Sequence, residues 1–301
     1  MTIDPAKTAN KKGLHNLLLG AVSPRPIALA STVDLDGNVN LSPFSFFNIF
    51  STNPAVLVFS PSRRQRDKTT KHTLENILET MEVVINTVSH SIVEQISLAS
   101  SEYEKGVNEF LKAGFTGVKS ERVKPPRVKE APVSFECKVL EVKTLGTEGG
   151  AGNLIICEVV LIHAQDFIFD GNGTIDPQKS DNVARMGGDF YCRVNGDNIF
   201  SLPKPGVPVG IGIDNLPPEI RNSTVLTGNN LGRLAGINTL PSPNDVKEFV
   251  DSFNYEIIGN GSTVSTVTEI HKYAQELLSQ GDVKKAWLIL LGVANKKEKW
   301  N

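Results

Sequence analysis

Residues 23–80 read SPRPIALASTVDLDGNVNLSPFSFFNIFSTNPAVLVFSPSRRQRDKTTKHTLENILET, and the fold follows from how this stretch divides. Pro26 to Val33 is an apolar run with strand character. Asp34-Leu-Asp-Gly-Asn38 carries the Asp36-Gly37 signal of a tight hairpin, and Val39 to Phe47 reads as the returning strand. Asn53-Pro54 marks a second turn; Ala55 to Ser60, apolar throughout, reads as a third and central strand. A loop follows that holds Arg63, Arg64, Arg66, Lys68 and Lys71. Thr73 to Met81 is predicted to be a helix, with Leu74, Ile77, Leu78 and Met81 at i, i+3, i+4 and i+7 forming one buried face. An apolar sheet surface beside a cationic loop suits a ligand that is flat at one end and anionic at the other.

Outward from this stretch, Asn16 to Val22 reads as a helical turn or a strand packed on the barrel. Glu82 to Val88 is a strand, and Ser91 to Ala99 and Val107 to Ala113 are short helices, the second closed by Gly114. Two long strands, Val133 to Leu145 and Asn153 to Ala164, are joined by Gly146 to Gly152. That Gly-rich run lacks GxGxxG spacing and lies between two strands, so it reads as a flexible hairpin and not a nucleotide loop. Ala184 to Leu202 holds a Gly-Gly pair and a last hairpin. Many strands with few helices between them make the chain mainly β with peripheral helices, an antiparallel barrel or sandwich.

Composition shifts near Pro203, which divides the chain into domains 1–203 and 204–301. Residues 203–241 read as loop-rich. Ser242, Pro243 and Asp245 then stand at N-cap, N1 and N3 of a helix. A capping box at Thr266 and Glu269 opens a second helix, with Val267, Ile270, Ala274, Leu277 and Leu278 on one face and Gly281 at its end. Val283, Ala286, Trp287, Leu290 and Leu291 line a third, so a helical C-terminal extension is expected.

The chain has 301 residues and a formal net charge of −2, which argues against general nucleic-acid binding. Cys137, Cys157 and Cys192 are an odd set without CxxC spacing, pointing to a reducing compartment and away from a disulfide scaffold or zinc site. The apolar patch Leu17 to Leu19 is too short for a signal core or a membrane span, and a cytoplasmic protein is expected. There is no GxxxxGK[ST], GxSxG or HExxH motif, and the five histidines (15, 72, 90, 163, 271) are scattered, so no metal is expected.

Two signals carry chemistry. The basic loop ends where a helix begins, and free N–H groups there favour phosphate, with Arg and Lys adding charge-assisted bonds. A solvated basic loop with Thr73 as an ordinary N-cap explains the same residues. In Ser42-Pro-Phe-Ser-Phe-Phe-Asn48, alternation places Ser42 and Phe44 on one sheet face and Ser45 and Phe47 on the other. Such a strand can lie along a flat ring, or its phenylalanines can simply pack a core. His72 lies inside the basic loop, where a polar contact at the helix start competes with a catalytic role.

Taken together, Arg25-Pro-Ile-Ala-Leu29, Asp36-Gly37, Ser42 to Asn48, Asn53-Pro54, Phe59-Ser60, Lys71-His-Thr73-Leu-Glu-Asn76-Ile77, Glu79-Thr80 and Val84-Ile-Asn86 resemble the flavin reductase-like, FMN-binding split-barrel family, in particular its flavoredoxin-type branch. Arg185-Met-Gly-Gly188 with Tyr191 is similar to that branch's closing motif, and the resemblance covers roughly residues 14–203. It implies a six-stranded Greek-key split β-barrel and a homodimer with FMN near the subunit interface. Ser45, Phe46, Phe47 and Asn48 would hold the isoalloxazine, largely through backbone. Ser60, Ser62, Lys71 and Thr73 would hold the ribityl phosphate, and Arg25, Arg185 and Tyr191 would border the flavin. No side chain is implied as catalytic, since flavin N5 carries the chemistry. The family's Lys-Asp-Thr stands here as Lys71-His72-Thr73, and the Arg64–Thr70 segment is longer and more basic than usual. The activity implied is NAD(P)H:flavin reductase-like, with electrons passed to free flavin or another acceptor. The alternative is an FMN electron carrier fed by a protein partner.

Overall fold

The computed structural model describes residues 2–8, 11–253 and 267–297, and the chain divides into two compact units, Met1–Phe200 and Ser201–Asn301. The first opens with helix α1 (Lys11–Ala21), so of the two readings of Asn16 to Val22, helical turn or strand, the helical one is formed, and it begins earlier in the chain. Then come β1 (Arg25–Pro26), β2 (Ala28–Val33), β3 (Val39–Phe44), β4 (Phe47–Thr52), β5 (Ala55–Phe59), α2 (His72–Thr80), β6 (Glu82–Asn86), α3 (Val93–Ala99), α4 (Glu109–Ala113), β7 (Gly117–Val118), β8 (Arg127–Val128), β9 (Val133–Thr144), β10 (Asn153–Ala164), α5 (Pro177–Ser180), β11 (Val183–Arg185) and β12 (Tyr191–Arg193).

Seven strands form one sheet in the order β3-β2-β6-β9-β10-β5-β4, every neighbouring pair antiparallel. The first and last strands of that order, β3 and β4, are joined only by Ser45 and Phe46. Three Cα steps from Phe44 to Phe47 reach at most about 11 Å. Crossing a flat sheet of this width would take about 29 Å at ~4.8 Å per strand. The sheet must therefore curl until its two edges meet. No ladder joins β3 to β4 among the described residues, so the barrel stays split there. Seven strands replace the expected six because Val39–Phe47 is not one strand: the chain leaves the first ladder after Phe44 and enters another at Phe47.

The barrel core is built by Ala28, Ala30, Phe44, Leu57, Phe59, Leu74, Ile77, Val83, Ile85, Cys137, Val139, Ile155 and Cys157, with Phe47 packed against it. Phe44 and Phe47 thus share one core, where unbroken alternation had put them on opposite faces; the break at Ser45–Phe46 resets the phase. A second core lies on the other side of β2, where Leu29 and Leu41 meet Ile92, Ile96, Ala99, Phe110 and Ala113 around α3 and α4.

Helix α2 buries Thr73, Leu74, Asn76 and Ile77, while Leu78 is 59% and Met81 39% exposed. The expected face is therefore rotated. Asn76 Nδ2 donates to Thr32 Oγ1 and Thr73 Oγ1 to Asn40 Oδ1, so two polar residues complete the buried arc that Leu78 and Met81 were expected to fill. Met81 closes the helix in the left-handed region (φ 55°), its N–H bonded to Ile77 O.

The second unit is helical: α6 (Pro218–Arg221), α7 (Gly228–Ala235), α8 (Pro243–Ser252), α9 (Val267–Ser279) and α10 (Val283–Lys297). Its core joins Leu216, Ile220, Leu234, Ala274, Leu278 and Trp287. Residues 203–241 are less loop-rich than expected, because Thr227 and Asn230 form a capping box that starts α7 in a Gly-rich run. Ser242 caps α8 with Pro243 in its first turn and Asp245 completing the box, as predicted. The predicted cap Thr266 lies outside the described residues. On the predicted α9 face, Ile270, Ala274, Leu277 and Leu278 are buried, and Val267 is 38% exposed.

Candidate functional site at the barrel split

The split places Ser45 to Asn48 beside the start of the basic loop. Phe47 pairs with Phe59 and Asn48 with Val58, and Ser60 N donates to Phe46 O at 2.9 Å. Phe44 and Phe59 hold their ring centres 5.5 Å apart beneath this corner. Phe47 and Ser45 are half-buried, and Phe46 and Asn48 are exposed. The strand therefore offers an apolar rim in front of the loop.

The loop is braced from behind by the connection between β9 and β10. Arg63 N donates to Ala151 O at 2.9 Å, Gly150 N to Arg63 O at 3.0 Å, and Asn153 Nδ2 to Pro61 O at 3.0 Å. The run read as a flexible hairpin is a docked one. Its glycines permit the approach: a Cβ on Gly149 would fall 2.9 Å from Gln65 O, and one on Gly152 2.7 Å from Ser60 Oγ. Ser60 is buried, and its hydroxyl has no protein partner; the same holds for the buried Arg63 Nε.

Most cations of the loop are engaged within it. Arg63 Nη1 donates to Lys68 O at 3.0 Å, and Arg64 Nη1 to Thr69 Oγ1 at 3.0 Å and to Thr70 O. Lys68 pairs with Glu148 at 2.6 Å. Lys71 is the N-cap of α2, without a side-chain cap bond, and its ammonium meets Glu102 at 3.5 Å. Burial, opposed by Glu75 and reinforced by Arg64, Lys105 and Lys71, holds His72 below its ordinary pKa.

Thr73 lies two residues past the N-cap, Lys71, inside the first turn. It is 1% exposed and gives its proton to Asn40 Oδ1 at 2.6 Å. Asn40 Nδ2 in turn donates to Glu109 Oε1 at 2.7 Å, and Leu41 N to Glu109 Oε2 at 2.9 Å. This buried chain pins the end of the loop to α4 through β3. Burial raises the Glu109 pKa against those hydrogen bonds. Neither Asn40 nor Glu109 was legible as a site residue, because no local pattern pairs residues so far apart. Ser62 is half-buried within the same loop.

The remaining predicted residues meet in the three-stranded sheet β1-β11-β12, where Arg25 pairs with Arg185 and Arg185 with Tyr191 in one row. The Arg185 guanidinium sits 4.6 Å from the Tyr191 ring centre. Arg25 is 7% exposed; its Nη1 donates to Leu19 O and Val22 O, its Nη2 to Met186 O at 2.9 Å, and its Nε is unpaired. Burial, and behind it the Arg185 charge, lowers its pKa. This row packs beside the site strand, since β1 contacts β4.

Among the described residues six buried side-chain atoms lack a partner: Arg25 Nε, Ser31 Oγ, Ser60 Oγ, Arg63 Nε, Arg127 Nε and Asn182 Oδ1. Buried polar groups are normally satisfied, so each exception asks for an explanation. Three of the six lie on the site residues or the basic loop, and all three can donate to an anion or a carbonyl.

An antiparallel split barrel with unpaired donors at its seam defines a class, and the sequence comparison agrees with it. The chain belongs to the flavin reductase-like domain family, whose profile matches residues 20–170. An uncharacterized protein of Aquifex aeolicus is 41% identical over 184 residues, covering 61% of this chain and 91% of its own. Nitrilotriacetate monooxygenase component B from Bacillus cereus superposes with a TM-score of 0.62 at 28% identity, over 67% of this chain and 98% of its own. A split-barrel protein of the flavin reductase type from Shewanella frigidimarina gives 0.58 at 29% identity, over 68% and 99%.

Proposed function

We infer that the chain is an FMN-binding oxidoreductase of the NAD(P)H:flavin reductase type. The observation that carries this reading is the pair of unpaired buried donors, Ser60 Oγ and Arg63 Nε, in a cation-rich loop at the barrel split. A ribityl phosphate matches those donors, and Lys71 and Ser62 stand on the same loop to add charge and a hydroxyl. Ser45 to Asn48 would take the flat ring along the split, and Arg25, Arg185 and Tyr191 would border it. Bound there, FMN supplies a hydride acceptor at N5 for a nicotinamide donor. The protein's own work is to bind, orient and place positive charge near the ring, so no acid–base triad is needed.

A homodimer belongs to this reading. Ile49 and Phe50 on the edge strand β4 are 57% and 69% exposed, and Val160 and Ile162 on β10 are 38% and 56% exposed. Apolar surface of that kind is usually covered by a partner. The three free thiols fit a cytoplasmic setting.

Titration of the purified protein with FMN, followed by quenching of flavin fluorescence, tests the reading; absence of binding rejects it. Anaerobic addition of NADH or NADPH then asks for bleaching of the flavin band. Binding without bleaching by either nucleotide transfers the protein to the electron-carrier class.

A further inference from the structure

The geometry points to Glu102 as the residue that sets how strongly this site discriminates phosphorylated from unphosphorylated flavin. This inference rests on the FMN reading above. Arg64 Nε, Arg66 Nη2 and Lys71 Nζ come from both limbs of the basic loop, and each lies 3.5 Å from a Glu102 carboxylate oxygen. Charge-assisted N–H···O bonds run at about 2.7–2.9 Å, so these three contacts hold by charge alone. Glu102 accepts no hydrogen bond from the described residues. Lys68, by contrast, is held firmly by Glu148 at 2.6 Å.

The Glu102 side chain is 48% exposed and lines an open groove of about 450 Å³ together with Arg64, Arg66, His72 and two further carboxylates, Asp67 and Glu104. It belongs to the connection between α3 and α4, which forms no helix or strand around residue 102. Glu102 thus leans loosely on three cations, of which Arg66 also meets Asp67 Oδ2 at 3.4 Å, and it does so from a segment that no ladder fixes. The Glu102 end of each pair is half-exposed and 3.5 Å from its cation, which keeps each contact weak, so an incoming anion can displace it. A phosphate offers several oxygens to the same cations and can form the short bonds that Glu102 does not.

The consequence is specific to the phosphate end of the ligand. Lys71 is the cation shared with the phosphate donors proposed above; Glu102 competes with a phosphate for it and for the adjoining Arg64 and Arg66, and it has nothing to compete for when the flavin carries none. It therefore lowers affinity for FMN without lowering affinity for riboflavin, and so keeps FMN exchangeable.

The test measures FMN and riboflavin affinity side by side for the full chain, Glu102→Gln and Glu104→Gln, with thermal melts to show that all three fold. Glu104 lines the same groove but forms no ion pair among the described residues, so it reports the effect of removing a nearby charge as such. Glu102→Gln should raise the FMN-to-riboflavin affinity ratio about three- to tenfold, and Glu104→Gln should move it less than about twofold. An unchanged or reduced ratio in Glu102→Gln overturns the inference while leaving the FMN reading intact. An equal rise in both variants also overturns it, since only general charge would then matter. Failure of all forms to bind either flavin removes the function reading, and this inference with it.

Discussion

Strands β2 and β4 are both six residues long and lie in one sheet, yet every residue of Ala28–Val33 is buried and none of Phe47–Thr52 is. Side-chain bulk points the other way: β4 reads FNIFST and β2 reads ALASTV. Position decides. β2 is paired on both edges, with the barrel core on one face and α3 and α4 on the other. β4 ends the sheet, with one edge unpaired and an irregularity between Ile49 and Ser51 that turns Phe50 out. An edge strand with large exposed apolar side chains is a liability unless something covers it. Here it stands beside a loop that holds the unpaired donors Ser60 Oγ and Arg63 Nε.

If β2 and the helix against it are the settled region, Ile77→Ala should give the largest effect. Ile77 is fully buried in the core shared with Ala28 and Ala30, and its truncation should cost about 2–5 kcal/mol in denaturant unfolding. On the β4 side the effects should fall on ligand and partner. Lys71→Ala should weaken FMN by roughly 1.5–3 kcal/mol in a fluorescence titration, and an unchanged affinity would place the phosphate elsewhere. Gly152→Ala brings a Cβ to 2.7 Å from Ser60 Oγ and should displace that hydroxyl. The expected loss is about 0.5–1.5 kcal/mol in FMN binding, that of one hydrogen bond, with riboflavin unaffected.

Ile49→Ser combined with Phe50→Ser should shift sedimentation toward monomer and leave the melting of that monomer nearly unchanged. A large fall in its melting temperature would show that β4 is part of the settled region after all. The smallest effect is expected for Leu78→Ala, at most about 0.5 kcal/mol in monomer stability, because Leu78 is 59% exposed on α2.

Much of the frame was legible. The Asp36-Gly37 turn is formed with Gly37 at φ 87°, the long pair β9 and β10 spans the expected hairpin, and Ser242 caps its helix. Each rests on neighbours within a few residues, where local geometry decides. The face of α2 was misread because apolar spacing alone cannot show that Thr73 and Asn76 have buried partners on β3 and β2. The Gly146–Gly152 run was misread for a related reason: its glycines serve a close approach to residues 60–65, which no period or turn signal records.

The sequence by itself determined the order of strands and turns, the cationic inventory of residues 63–71 and the closeness of Ser45 to Asn48 and Ser60 to Thr73 along one stretch of chain. Tertiary structure alone decided which of those groups are spent and which are left over. Thr73 is spent on Asn40, Lys68 on Glu148, and Arg64, Arg66 and Lys71 lean on Glu102, while Ser60 Oγ and Arg63 Nε remain unpaired. The physical reason is that a donor's partner is set by which strands the curled sheet brings together. That closure follows from the whole strand order and from the two-residue link at Ser45–Phe46, not from any local pattern.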